Sequence, residues 1–339
     1  MARRRGVAEL FLALTLGAFG ALVACGSRTP LFVIEEPERK DAQPPADTFV
    51  PLPDSTIPFD TAPPPMDASP DVLPPIDVTP IPDVFVNDCP DAGATLVYVV
   101  TETNTLYSFY PPSGVFTMVG QLACPAMGGA TPFSMAVDKK GTAFVVFSDG
   151  ELFQVSTKTA ACIPTPYAPN QLGIQKFGMG FVGNSTGTGD TLYVAPNATA
   201  VGELATIDTT SFTLSIIGAF GPQTLNAAEL SGTGDGRLFA FYSTNDPNTG
   251  ALTSAVAQID PTNAMVLANN DMSNLPQGSG WAFAFWGGSF YLFTAPNGVG
   301  PGGGSQVTQF NPADLSQTTV ATMGDIIVGA GVSTCAPMQ

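Results

Sequence analysis

The stretch Met135-Ala136-Val137-Asp138-Lys139-Lys140-Gly141-Thr142-Ala143-Phe144-Val145 reads as two strands joined by a tight turn. Apolar and β-branched residues lie on both sides of Asp138 and Gly141. Those two supply what a turn needs, an Asx hydrogen bond and a positive φ. Strand-like runs recur outward from it. One strand of each unit ends at an apolar residue followed by Asp, Asn or a substitute. The instances are Phe109-Tyr110-Pro111, Val155-Ser156-Thr157, Ile207-Asp208-Thr209, Ile259-Asp260-Pro261 and Phe310-Asn311-Pro312. The anchors at 109, 155, 207, 259 and 310 are 46, 52, 52 and 51 residues apart. Chance spacing is not that even.

Each unit reads as four strands. In the second unit they cover 134–138, 141–147, 151–157 and 159–163, and units three to five repeat the scheme. The first unit has only 95–101, 105–110 and 115–120, while 327–334 (IVGAGVST) is left over at the chain end. Four-stranded units of this length predict an all-β fold, a β-propeller of about five blades. The C-terminal strand completes the first blade, which closes the ring and removes an open edge. Six blades, if two units have been merged, and a β-sandwich are the alternatives. The 135–145 stretch resembles the strand–turn–strand core of bacterial propeller repeats of the NHL and YVTN type. That resemblance spans 95–339 in shape, with degenerate letters.

Composition narrows the function classes. The chain has 339 residues, Lys+Arg 11, Asp+Glu 28, His 0 and a net charge of −17. Nucleic-acid binding needs a basic footprint, which is missing here. The absence of histidine excludes a Ser-His-Asp triad, a Cys-His pair and a His-ligated zinc site. No cofactor or metal is expected.

The first 24 residues read as an export signal. Arg3-Arg4-Arg5 form a basic start, and the apolar stretch 10–24 is too short for a comfortable span. Leu22-Val23-Ala24-Cys25 resembles the bacterial lipobox. The resemblance implies that Cys25 is the lipid attachment point and the mature N-terminus. Several acyl chains hold a protein stably on a membrane without spanning it. Gly26 follows, not the Asp of an inner-membrane retention signal, so the cell envelope and its outer membrane are the expected location. Sixteen of the 32 prolines lie between Pro30 and Pro90, interleaved with acids as in Pro63-Pro64-Pro65-Met66-Asp67 and Pro74-Pro75-Ile76-Asp77. Residues 25–91 therefore read as a lipidated, Pro/Asp-rich disordered tether of up to roughly 200 Å. Residues 92–339 are the propeller domain.

Four cysteines remain in the exported chain, and an oxidising compartment favours two disulfides. Three pairings are possible. Ring closure selects Cys89–Cys335, which locks the first blade, and leaves Cys124–Cys162 across blades one and two. Closing the longer loop is worth roughly 5 kcal/mol in a chain-entropy treatment.

In a propeller, loops between second and third strands share one face with loops between blades. Both sets are long here: 196–202, 244–254 and 295–305, and 122–133, 163–177, 219–226 and 269–280. Long loops on one face suggest a binding surface. Its candidate ligand residues are Tyr167, Lys176, Asp246, Asn248, Asp271 and Trp281, a mixture that suits a protein or glycan partner. The Gly-rich stretches 184–190 and 231–236 read as hairpin turns. They lack the Gly-Lys-Ser/Thr of a phosphate loop and the oxygen ligands of a calcium loop. Asp138 and Glu229, in or beside first strands, are the candidate acid pair if the protein is a glycosidase. The expectation is a monomeric, membrane-tethered binding module that is not an enzyme. A structural surface protein without a discrete ligand is the remaining alternative.

Overall fold

The computed structural model describes residues 73–79, 89, 95–184, 189–197, 202–245, 249–250, 252–298 and 303–339. Blade 1 contains β1 (Val97–Thr101), β2 (Thr105–Tyr110) and β3 (Val115–Gln121). Blade 2 contains β4 (Pro132–Val137), β5 (Thr142–Phe147), β6 (Leu152–Ser156) and β7 (Cys162–Pro164). Blade 3 contains β8 (Phe177–Gly183), β9 (Asp190–Pro196), β10 (Glu203–Ile207) and β11 (Leu214–Ala219). Blade 4 contains β12 (Ala227–Gly232), β13 (Leu238–Asn245), β14 (Leu252–Ile259) and β15 (Val266–Asp271). Blade 5 contains β16 (Trp281–Trp286), β17 (Ser289–Thr294), β18 (Ser305–Asn311) and β19 (Ser316–Met323). The last strand, β20 (Ile327–Val332), pairs with β1 and gives blade 1 the order β20-β1-β2-β3. The chain is thus a five-bladed all-β propeller with four antiparallel strands per blade.

The middle strands read as unbroken apolar runs because they are covered on both faces. In β1, Val97 and Val99 pack toward blade 5, while Tyr98 and Val100 pack toward blade 2. In β13, Leu238, Ala240 and Tyr242 face blade 3, and Phe239 and Phe241 face blade 5. The two-residue period of a strand divides each run between two neighbours. The core is accordingly five layers, one at each blade junction. Phenylalanine fills the layer between blades 4 and 5, where Phe239 meets Phe285 at 5.3 Å and Phe290 at 5.0 Å. The outer strands β3 and β19 are mostly exposed or half-buried.

Inner strands approach one another closely around the axis. A Cβ on Gly329 or Gly331 of β20 would lie 2.8 Å from the backbone nitrogen of Met135 or Val137 on β4. A Cβ on Gly180 of β8 would lie 2.8 Å from the backbone of Leu230 on β12. Glycine is required at these positions for lack of room, not for an unusual φ.

The ring closes through β20 and a disulfide. Val97 pairs with Val332, Tyr98 with Gly331, Val99 with Ala330 and Val100 with Gly329. Cys89 is bonded to Cys335, three residues beyond β20, with Cα atoms 5.7 Å apart. Cys124, in the loop from β3 to β4, is bonded to Cys162 on β7, with Cα atoms 5.1 Å apart. Both pairings are those expected from ring closure. Together they point to a non-cytoplasmic location. At the same end of the ring, the Thr334 hydroxyl donates to Asp190 Oδ1 at 3.0 Å, and the Lys139 backbone N–H donates to Asp190 Oδ2 at 2.5 Å. One carboxyl of blade 3 thus ties the chain end to the β4–β5 turn.

One expectation is corrected. The segment 73–79, read as part of a tether disordered as a whole, lies against the propeller. Ile76 is buried at 3% exposure among Phe239, Phe241 and Phe283, and Leu73 and Val78 are half-buried at blade 4. Proline and acid composition hides a single well-placed isoleucine. Burying such a side chain fully contributes about 1.5–3 kcal/mol, which offsets part of the ordering entropy of a stretch already stiffened by Pro74 and Pro75.

Two outcomes follow. Replacing Cys89 and Cys335 by serine lowers stability more than replacing Cys124 and Cys162, because their sequence separations are 246 and 38. The chain-entropy costs are about 5.5 and about 4 kcal/mol, and urea midpoints of the two double variants check the order. Burial is the first cause that raises the Asp190 pKa from 3.8 to about 6, with Asp138 adding to it and the Thr334 and Lys139 hydrogen bonds opposing it. A raised folded-state pKa gives stability that is complete below the unfolded value and is lost as pH rises through the folded one. The stability difference between wild type and Asp190→Asn therefore shifts against the wild type by on the order of 2–3 kcal/mol from pH 4 to pH 6. Urea titrations at several pH values measure it, and a flat difference contradicts the assignment.

Candidate functional site

The five inner strands begin on one face of the ring, where loops between second and third strands also emerge. A funnel of about 230 Å³ opens there on the axis. Pro132, Gly178, Ala227 and Val328, at the starts of four inner strands, form much of its wall. Phe133, Trp281, Glu102 and Glu229 supply its distinctive chemistry.

Glu229 reaches the axis because of the register of β12. Ala228 and Leu230 enter the core layer shared with blade 3, so the intervening Glu229 does not. Ser134 Oγ on β4 donates a 2.6 Å hydrogen bond to Glu229 Oε2. The Met179 backbone N–H, on β8 between them, also donates to this carboxyl. One acid thus joins the inner strands of blades 2, 3 and 4. It is 4% exposed, and burial pushes its pKa well above the ordinary value, against the opposing effect of those two hydrogen bonds. Desolvation favours the neutral acid, which has an O–H to donate as well as a carbonyl to accept.

The funnel rim combines aromatic and charged groups. Trp281 is half-buried at the first position of β16 and meets Phe241 edge-on at 5.4 Å. The Lys176 ammonium lies over the Phe133 ring, 5.1 Å from its centre. Glu102, whose backbone N–H donates to Ile326 at 2.9 Å, brings a second carboxyl to the funnel. Sequence reasoning missed Glu102. The signal was available, since the turn joining second to third strand in blade 1 must end on this face, but the turn is short.

The remaining candidates divide. Asp138 stands at the far end of β4, four residues beyond Ser134, which is about 13 Å of strand. Its Oδ1 accepts from the Thr142 N–H at 2.7 Å, and the Gly141 N–H donates to its carbonyl at 3.0 Å. Asp138 and Glu229 therefore share no site, and the acid pair inferred from sequence is corrected. Both lie in or beside inner strands, but position along the strand sets the face. Tyr167 is likewise not on an open surface. It is 5% exposed in the layer between blades 2 and 3, 6.0 Å from Phe177 edge-on, and burial pushes its hydroxyl up to about 12. Asp271 is exposed at the end of β15, where it accepts the Ser273 N–H at 3.1 Å. Trp281 lines the funnel, and Lys176 stands over Phe133, another of its lining residues. Asp246, Asn248 and Cys25 lie outside the described residues. Among the described residues, no group of three acidic or thiol side chains could hold a metal ion.

No protein-family model matches the sequence, and no curated protein does. Solved structures similar to it include a chain of a nidogen/laminin complex, at 11% identity and a TM-score of 0.44, covering 70% of this chain and 97% of that one. The Dos1 propeller is similar at 13% identity and a TM-score of 0.38, covering 71% of each chain. TolB from Acinetobacter baumannii is similar at 11% identity and a TM-score of 0.39, over 70% of this chain and 55% of that one. At these values no ligand or activity is carried across.

The raised pKa of Glu229 has a signed consequence. The stability associated with its protonated form is complete below 4.5 and is lost as pH rises toward the folded value. Glu229→Gln keeps a neutral acceptor for Ser134 and removes the titration. The variant is expected to match the wild type at pH 4 and to become progressively more stable than it above pH 5. Thermal melts across that range check the direction, and a wild type that gains on the variant with rising pH overturns it.

Proposed function

We propose that this protein is an envelope-anchored binding module, held on a membrane by a lipid at Cys25, whose ligand enters the axial funnel. The observation that carries the reading is Glu229, buried and hydrogen-bonded to Ser134, lining the same funnel as Trp281 and Phe133. A concave site with apolar walls and a few convergent polar groups is the usual form of a ligand pocket. Burial favours the protonated form of this acid, and a neutral carboxyl suits an uncharged, hydroxyl-rich ligand better than a cation. Aromatic faces beside it suit the apolar face of a sugar ring. A neutral glycan segment is therefore the favoured ligand, and a protein partner over the same rim is the competing one.

A second reading rests on Glu102 and Glu229 both lining the funnel. Glycoside hydrolysis needs two flanking carboxyl groups, and this pair replaces the one inferred from sequence. The binding reading is preferred because two neighbouring strands already donate hydrogen bonds to Glu229, which holds it as a fixed hydrogen-bonding group.

Binding to a panel of neutral oligosaccharides by calorimetry separates these readings. Trp281→Ala is expected to weaken binding by about tenfold or more, corresponding to about 1.4 kcal/mol, while Asp271→Ala leaves it unchanged. Release of reducing ends by the wild type, abolished in Glu229→Gln with binding retained, selects the enzyme. Retention of binding in Trp281→Ala and Glu229→Leu together rules out the funnel. Cys25→Ser is expected to move the protein from the membrane fraction to the soluble one.

A further inference from the structure

Residues 73–79 do more than lie on the surface, for the cleft that holds them is built around backbone recognition. Pro74 and Pro75 have no N–H, so Ile76 carries the first backbone donor after Leu73. The Ile76 N–H is then received by Asn270 Oδ1 at 3.1 Å. The Asn269 N–H on β15 donates to the Pro74 carbonyl at 3.2 Å. Arg237 Nη1 donates to the carbonyls of Asp77 and Thr79, both at 3.3 Å. Asn270 is 8% exposed and Arg237 6%, so both are buried polar groups that spend hydrogen bonds on this one segment.

Arg237 is held in place for that role. Asp235 accepts from its Nε at 3.0 Å and pairs with its Nη2 at 2.8 Å. The guanidinium also lies 5.8 Å from the Phe239 ring centre and 5.9 Å from that of Phe285. Its orientation is thus set by the propeller, leaving Nη1 for the segment. Between the two polar grips, Ile76 fills an apolar pocket in the layer between blades 4 and 5. Asp77 is exposed and closes a local turn, with its Oδ1 accepting the Thr79 N–H at 2.8 Å.

We infer that the cleft between blades 4 and 5 is a peptide-recognition site for extended, proline-led segments carrying one β-branched apolar anchor, and that Leu73–Thr79 of the same chain is its resident ligand. Two alternating contact types, main-chain hydrogen bonds and a side-chain pocket, are how extended peptides are read in general. The occupant is held in cis, at the high effective concentration of a short connection. The inference is independent of the funnel and its ligand.

The test uses the full chain. Ile76→Asp removes the resident anchor and leaves every blade residue intact. A fluorescent peptide of residues 73–79 is then titrated into the variant and the wild type and followed by anisotropy. The variant is expected to bind it at least tenfold more tightly than the wild type, and a peptide carrying the same Ile→Asp change is expected not to bind. Failure of the folded variant to bind, or equal binding by the wild type, overturns the inference. If the variant does not fold, hydrogen exchange supplies the reading. The Ile76 amide should be protected in the wild type and exchange at least tenfold faster in Asn270→Ala; an unprotected Ile76 amide in the wild type overturns it. A wild-type dimer that Ile76→Asp converts to monomer would show that the segment docks in trans, against the cis assignment.

Discussion

The structure depends on joining its two ends. Each middle strand has two apolar faces, and each face needs a neighbouring blade to cover it. A ring of such blades leaves none uncovered only if the last meets the first. Pairing of β20 with β1 achieves this with backbone hydrogen bonds, and Cys89–Cys335 holds the join covalently. Opening the join would expose the β1 edge and the layer formed by Val97, Val99, Ala282 and Ala284. Asp190 adds a polar tie at the same end.

Closure with five blades brings the inner strands close together. The small residues on β8 and β20 are a consequence, since a side chain there would meet the next strand's backbone. The same closeness lets Glu229 of blade 4 touch Ser134 of blade 2 across blade 3. A polar group in such a place is costly unless hydrogen-bonded, and its neutral form lowers that cost. The funnel chemistry is therefore tied to the ring's tightness, and substitutions at the axis act on fold and site together.

How much was legible in the sequence varies residue by residue. The evenly spaced anchors at Phe109, Val155, Ile207, Ile259 and Phe310 disclosed the blades because each ends the same strand of its unit. The cysteine pairing followed from the ring, and the turn at Asp138 from its own Asp and Gly. Trp281 and Lys176 were legible as occupants of the loop-bearing face. Glu102 was passed over because its turn is short, and Tyr167 was misplaced because a loop residue need not point outward. Ile76 was hidden by composition: its neighbours are prolines and acids, while its partners Phe239, Phe241 and Asn270 are more than 160 residues away in the chain.

The sequence by itself determined the repeat, the four-strand content of its units and the way the ring is fastened. These rest on local periods and on chain order, which a string of residues carries directly. Tertiary structure alone decided which residues meet at the axis and in the clefts. Glu229 joins Ser134 and parts from Asp138, and Ile76 meets Asn270, because curvature brings strands of different blades together at particular heights. That height depends on register and inter-strand approach summed over the whole ring, and no single segment encodes it.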